Sequence, residues 1–479
     1  MEYDVIIVGG GLGGLTAGAK LAREGKKVLL IEQHDRPGGC ATTFKRKQFT
    51  MEVGLHEMDG LHPKDLKNKI FNDLGVFEKV SFLKVPEFYR FVNGRTDLVM
   101  PHDPEEAIRR LTATFPAERA GIEKYFDRLL NTRKYLVELR DKPDQSLGDF
   151  LDSIIGDEEL KLVLLGNLGY FHDDPYSLSM TYFSVAEGSY FTGGGSFIKG
   201  GSQELSNALS CVINSNGGRV ILNHTVTGFR MEDDRVACVY FSPRIGHDEV
   251  AIKAAGKEII VNASLPWLES VLEGRHREAL HEEIGTNIPG ASLLTVYYGF
   301  NKPLSEIGYS YYSTFIFDES VRSQRDILSN NHGDYSKRSF TFVDYSQLDS
   351  GLAPEGKGVG GVCCIDYLED WQNLDHASYK AKKQEIQEIF TDRLDQLIPG
   401  FREAVEYVEV GTAKTVARYT LNPEGAVYGF AQHPGRKIPA VNSVKNLHIA
   451  SAWGKFGGGF SGAIYSGYMT AMDILRKRD

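Results

Sequence analysis

The sequence predicts an α/β fold with a second, α+β domain inserted into it. Three observations predict this. The N-terminus reads as strand, glycine-rich turn, helix and strand. Residues 193–265 return to that style after a helical interval. The C-terminus closes with another strand, glycine-rich turn and helix.

The first unit carries the most information. Residues 4–8 (DVIIV) form a short β-branched apolar run, which suits a buried parallel strand. Gly9, Gly11 and Gly14 follow in G-x-G-x-x-G spacing, and Leu15, Ala19 and Ala22 then recur with helical period. Gly25 ends that helix as a C-cap would. Lys27–Ile31 is a second buried strand and leads to Glu32, 18 residues beyond Gly14. Each part has a task in holding a dinucleotide. Gly9 permits the tight turn, Gly11 lets the backbone approach a pyrophosphate, and Gly14 lets helix and strand pack closely. The helix N-terminus, from Leu12, offers N–H groups to the phosphates. Glu32 accepts hydrogen bonds from ribose hydroxyls. The spacing alone is weak evidence, because Gly356, Gly358 and Gly361 also fit it. Those three precede a strand with no helix after it, and are expected to form a loop.

After Glu32 comes "EQHDRPGGCATTF" (32–44). Gly38 and Gly39 bring the backbone back across the bound nucleotide, and Cys40 through Thr43 pass its ring system. A simple NAD dehydrogenase has no use for such a doublet. The expected cofactor is FAD, on a Rossmann-like domain of the glutathione-reductase type.

The chain has 479 residues, 42% of them hydrophobic, enough for two cored domains. A net charge of −10 leaves no footprint for nucleic acid. No run approaches the length of a membrane span. The first strand begins so early that no signal peptide is expected. The five cysteines form no C-x-x-C, and the 13 histidines show no metal-ligand spacing. Reduced thiols, a cytoplasmic location and no metal are therefore expected.

Along the chain, residues 61–190 carry helical patterns, at Glu105–Phe115 (with Asp103 and Pro104 as N-cap and N1) and at Ala120–Leu139. Gly200–Asn214 reads as a helix, 257–264 as a buried strand, Ser292–Phe300 as a strand and Tyr379–Leu397 as a long helix. Residues 1–60, 193–265 and 411–479 are expected to build the FAD-binding domain, with 61–192 and 266–410 forming the substrate domain. The pocket should lie between them. Gly457–Gly459 lead into a helix whose N-terminus would face the flavin pyrimidine.

These motifs resemble the phytoene desaturase, carotenoid isomerase and retinol saturase branch of the flavin amine oxidase superfamily. The resemblance rests on the N-terminal 40 or so residues, "FPAERAGIEKYF" (115–126), "GGGSFIKGGSQELSNAL" (193–209), "YTLNPEGAVYGF" (419–430) and "GGGFSGAIYSG". It implies that Gly9, Gly11, Leu12 and Gly14 hold the pyrophosphate and that Glu32 holds the ribose. It also implies that Gly39 and Cys40 line the flavin, that Val226 and Ala263 lie by the adenine, and that Gly459, Phe460 and Ser461 cap the pyrimidine; Gly54 is expected to pass beside the flavin. The sequence departs from the family pattern at Glu52, Cys40 and Ser451–Ala452.

The resemblance further implies a long apolar polyene or polyunsaturated lipid as substrate, whose carbon–carbon double bond is formed, reduced or shifted. Its 23 tyrosines and 26 phenylalanines give the chain material for an apolar tunnel. His56 is the first acid–base candidate, with Glu57 and Lys455 behind it. No second dinucleotide fingerprint is present, so an external electron donor or acceptor is expected. A flavin amine oxidase and a non-catalytic isoprenoid-binding protein on the same fold are the alternatives. Peripheral contact with a membrane is a further expectation: in residues 64–77, Leu66, Ile70, Phe71 and Leu74 share one face, with Lys64, Lys67 and Lys69 elsewhere. A buried helix gives the same pattern and is the preferred reading there.

Overall fold

In β1 (Glu2–Val8), Val5, Ile6, Ile7 and Val8 are all buried, as a strand covered on both faces must be. The chain turns at Gly9, forms α1 (Leu12–Arg23) and returns as β2 (Val28–Ile31), parallel to β1. Gly25 follows α1 at φ 78°, a left-handed position that glycine takes without strain. The computed structural model describes residues 2–138, 143–244 and 252–477.

Five later strands complete this sheet: β3 (Arg219–Ile221), β4 (His224–Glu232), β5 (Arg235–Pro243), β6 (Ile252–Val261) and β7 (Leu447–Ile449). The order is β3–β2–β1–β6–β5–β4, with β7 also on β6. β6 does double duty. Its residues 255–261 run parallel to β1, while 252–254 pair antiparallel with β5. The parallel strands thereby place the ends of β1, β2 and β6 side by side, which is where ligands bind in such sheets.

A second seven-stranded sheet runs in the order 405–411, 292–300, 358–366, 340–344, 313–316, 89–92 and 97–100. A small third sheet joins Met58–Asp59, Gly195–Ile198 and Phe82–Lys84. The Gly356–Gly361 segment differs from its expected loop, because Gly358–Asp366 is a strand. Its glycines admit aromatic rings: a Cβ on Gly360 would sit 2.9 Å from the Phe300 ring.

Four helices bear on the site: α2 (Leu66–Asp73), α3 (Thr132–Glu138), α4 (Met180–Gly193) and α5 (Gly459–Arg476). The helix expected over Ala120–Leu139 is broken into Arg119–Leu130 and α3; Leu139 lies outside the described residues. The Thr132 hydroxyl donates to the Leu129 carbonyl at 2.7 Å, a bond that competes with the helical ladder. Elsewhere the expected elements form with small boundary shifts. Asp103 caps Pro104–Thr114, and the long helix starts at His376. Gln203–Ser215 starts late because Gly200 and Gly201 have φ of 86° and 90°.

The apolar face of 64–77 is covered by protein, as a buried helix requires. Ile70, Phe71 and Leu74 are buried and the helix packs against α5, while Leu66 and Phe77 remain exposed at the ends of the segment. α5 in turn crosses α1 at glycines. A Cβ on Gly467 would sit 2.1 Å from the Gly13 carbonyl oxygen, and one on Gly13 would sit 2.1 Å from the Ala450 carbonyl oxygen. Backbone therefore meets backbone where the first and last segments of the chain join.

Candidate active site

One cavity of about 2100 Å3 runs through the molecule. It exceeds the roughly 300–1,000 Å3 of an ordinary small-molecule site, so a dinucleotide and a second ligand both fit. Every site residue expected from the sequence lines it except Gly14. Gly14 packs beneath the loop instead, where a Cβ would sit 2.3 Å from the Gly9 carbonyl oxygen.

The nucleotide arm is built from bare backbone. Gly9 has φ 94°, and Gly38 and Gly39 have φ 131° and 62°. The Gly38 N–H donates to the Gly10 carbonyl at 2.7 Å, which brings the two glycine turns together. Gly11 is the N-cap of α1 and supplies no side-chain cap, and the first turn holds no acid. The N–H groups there meet no capping side chain, an arrangement that fits a phosphate. Glu32 accepts from the Gly10 N–H (2.6 Å) and the His34 N–H (2.8 Å), so its carboxylate is fixed beside the loop. Val226 on β4 and Ala263, just after β6, line the same end.

The middle of the cavity passes Cys40, Gly54 and the start of α5. Burial pushes the Cys40 thiol up to about 11, so it stays protonated at neutral pH. Glu52 holds the turn at Gly54: it accepts from the Gly54 and Leu55 N–H groups, and from the Ser202 N–H and hydroxyl. Burial raises it to about 7 against those bonds. At the far side, α5 begins with Gly458 as an uncapped N-cap, and nothing lies within 4 Å of where a Gly459 Cβ would be. This N-terminus therefore opens onto the cavity. The Ser461 hydroxyl is engaged by Asp59, which also pairs with Lys67 at 3.0 Å. Burial works against ionising Asp59, but Lys67 holds it below the usual carboxylate range.

Beyond lies an apolar arm lined by Leu129, Leu136, Tyr170, Phe171, Tyr190 and Phe191. The His56 ring meets it, with Nδ1 3.1 Å from the Tyr170 hydroxyl. Burial lowers His56 to about 4, so the imidazole is neutral at pH 7. Glu57 is fully buried and neither carboxyl oxygen has a hydrogen-bond partner within the protein; His102 Nε2 lies 3.9 Å from Oε2. Burial, and then Glu187, Glu87 and Asp59, push it well above the usual range. Burial and the like charges around it therefore favour its protonated form. Lys455 is exposed at the cavity edge, its Nζ 5.7 Å from the Phe456 ring centroid. The structure therefore brings His56 and Glu57 to the apolar arm and leaves Lys455 beside the start of α5.

Several residues of the site escape sequence reasoning. Asn262 packs its amide under Gly9 and Gly11 and donates to the Gly9 carbonyl at 3.3 Å. Tyr182 and Arg436 form the wall near Gly457. Only the end of a strand in "IIVNAS" marks Asn262, and its role depends on β1 and β6 pairing. Nothing local marks Arg436.

The fold and the cradle together define a flavin-binding oxidoreductase. The chain belongs to the flavin containing amine oxidoreductase family, whose sequence model matches residues 12–475. It is an FAD-dependent oxidoreductase, and the uncapped glycine cradle described above fits that group. Among curated relatives it is similar to all-trans-retinol 13,14-reductase of Danio rerio, at 24% identity over 100% of this chain and 86% of that protein. It is similar also to prolycopene isomerase 2 of an Oncidium hybrid cultivar, at 26% identity over 91% and 76%. Among solved structures it shares its fold with an oxidoreductase from Methanosarcina mazei (TM-score 0.68, 17% identity, 99% and 100% covered). Putrescine oxidase bound to putrescine gives a TM-score of 0.65 at 16% identity, with 100% of both chains covered. Among the described residues no helix is long and apolar enough to cross a membrane, and no cluster of His, Cys, Asp or Glu could hold a metal.

Proposed function

We propose that the protein reduces or isomerises a carbon–carbon double bond in a long apolar polyene or polyunsaturated lipid. The observation that carries this reading is the continuity of the cavity from the nucleotide cradle into the arm of Leu129, Tyr170 and Phe191. The family resemblance of the reductase and isomerase relatives supports it. Bound flavin supplies hydride transfer, and in the reductive direction its electrons come from an external donor. The chain's own part is to orient and to exclude water. Tyr170, Phe171 and Tyr190 wall the chain of the substrate, and Glu57 stores a proton behind them. His56, held by Tyr170, shapes the wall as a neutral ring. We assign residues 1–60, 193–265 and 411–479 to the FAD-binding domain and 61–192 and 266–410 to the substrate domain.

A bilayer surface is the proposed source of the substrate. Leu130, Leu136 and Val185 line the cavity yet are 37%, 45% and 51% exposed, and Val137 beside them is 72% exposed. Arg133 and Lys134 share α3 with Leu136 and Val137, as suits an anionic lipid surface. The test is a titration of oxidised holoprotein with polyenes and with simple amines, read by flavin absorbance. Polyenes are expected to perturb the spectrum. Perturbation by amines alone would favour the amine oxidase reading instead.

A further inference from the structure

The cavity wall carries positive charge that the protein does not neutralise. Arg436 donates through Nη1 to the Gln432 side-chain oxygen and through Nη2 to the Gly454 carbonyl, each at 2.5 Å. Both partners are uncharged, and Nε has no partner. Burial pushes the guanidinium down and only Tyr182 opposes this; no carboxylate contributes. Lys455 is the next residue after Gly454, and among the described residues it forms no ion pair. Arg436, Lys455, Tyr182, Gln432 and Phe456 all line the cavity.

Several buried cations in this protein have acids. Lys67 pairs with Asp59 at 3.0 Å, Lys161 with Asp152 at 2.6 Å and Arg338 with Asp370 at 2.9 Å. A cation removed from water is costly unless an anion meets it. Among the described residues Arg128 and Arg393 also lack an ion pair, bonding instead to a hydroxyl and to backbone carbonyls, but neither lines the cavity; Arg436 does, where a ligand can bring the anion. The position is separate from the phosphate cradle. Gln432 accepts the Ser179 N–H at 2.7 Å, and Ser179 caps α4, a wall of the apolar arm. Each Nη uses one hydrogen in those bonds and keeps a second, and a planar guanidinium matches a carboxylate.

We propose that Arg436, with Lys455 beside it, docks a carboxylate at one end of the substrate, so that the protein prefers a polyene or polyunsaturated acid over the matching alcohol or ester. This rests on the polyene reading above. The test uses purified holoprotein and three probes: all-trans-retinoic acid, its methyl ester and all-trans-retinol. Affinities are read by flavin absorbance and by quenching of tryptophan fluorescence. Wild type should bind the acid about tenfold or more tighter than the ester, with the preference shrinking as salt rises. Arg436→Gln should remove most of that preference and leave ester affinity unchanged, Arg436→Lys should keep part of it, and Lys455→Gln should reduce it. Equal binding of acid and ester by wild type overturns the inference while leaving the polyene reading intact. So does an Arg436→Gln protein that weakens acid and ester alike, or that loses flavin without altering the preference. Binding of none of the three probes removes the polyene reading itself.

Discussion

Replacing Lys67 by Met tests how the flavin end of the site is held. Lys67 lies on α2 with its side chain 0% exposed, and Asp59 beside it is 14% exposed. Its ammonium is 3.0 Å from Asp59, 3.7 Å from Asp65 and 3.2 Å from the Tyr465 hydroxyl. Asp59 in turn engages Ser461 in the first turn of α5. Lys67→Met fills the space but leaves the Asp59 carboxylate buried without its counter-charge. Breaking a buried pair from one side costs about 3–5 kcal/mol. Replacing both partners with neutral groups costs much less, so Lys67→Met with Asp59→Asn should regain most of the loss. The loss in the single variant should also shrink as the pH falls, because Asp59 then takes up a proton. Urea denaturation of the holoproteins, followed by circular dichroism and by flavin fluorescence, gives the three stabilities. A single variant within about 1 kcal/mol of wild type, or a double variant no better than the single, would refute the reasoning.

Three further outcomes follow from the same geometry. Gly11→Val should purify without flavin, since its Cβ would stand 2.7 Å from the Asn262 amide on the floor of the cradle; full flavin occupancy by absorbance ratio would contradict this. Burial raises Glu187 to about 8 from its usual 4.5, so the folded state binds this proton more tightly than the unfolded chain. The associated stability is fully present below about pH 4.5 and lost as the pH rises through about 8, by a few kcal/mol at most. Glu187→Gln should flatten that slope in denaturation midpoints taken across the range; an unchanged slope would show that Glu187 does not titrate there. Leu136→Asp with Val137→Asp should lower cosedimentation with anionic liposomes without changing flavin content, and undiminished binding would move the membrane contact elsewhere.

The strand–turn–helix–strand at the glycine end of the cavity was legible because its geometry is local. Gly9, Gly11, Gly14 and Glu32 fall within one strand–helix–strand unit, and backbone geometry alone prescribes their spacing. The Gly38–Gly39 doublet was legible for the same reason. What stayed hidden depends on distant pairings. Asn262 meets Gly9 only because β6 lies beside β1, and Arg436 reaches the wall only through Gln432 and Gly454. Lys67 looked like one of the charges flanking an amphipathic face, because period alone cannot show that an acid waits for it inside. The glycines at 358–361 looked like a loop because sequence does not reveal the rings of Phe300 and Phe342 packed over them.

The central claim is that the flavin cavity acts on carbon–carbon double bonds. The most direct measurement is anaerobic incubation of dithionite-reduced holoprotein with a panel of polyenes, followed by flavin absorbance and product mass. One of two results is expected: flavin reoxidation with a product heavier by two hydrogens, or a shifted polyene spectrum at unchanged mass. Polyenes that leave both flavin and mass untouched, while simple amines reduce the oxidised protein, would contradict it.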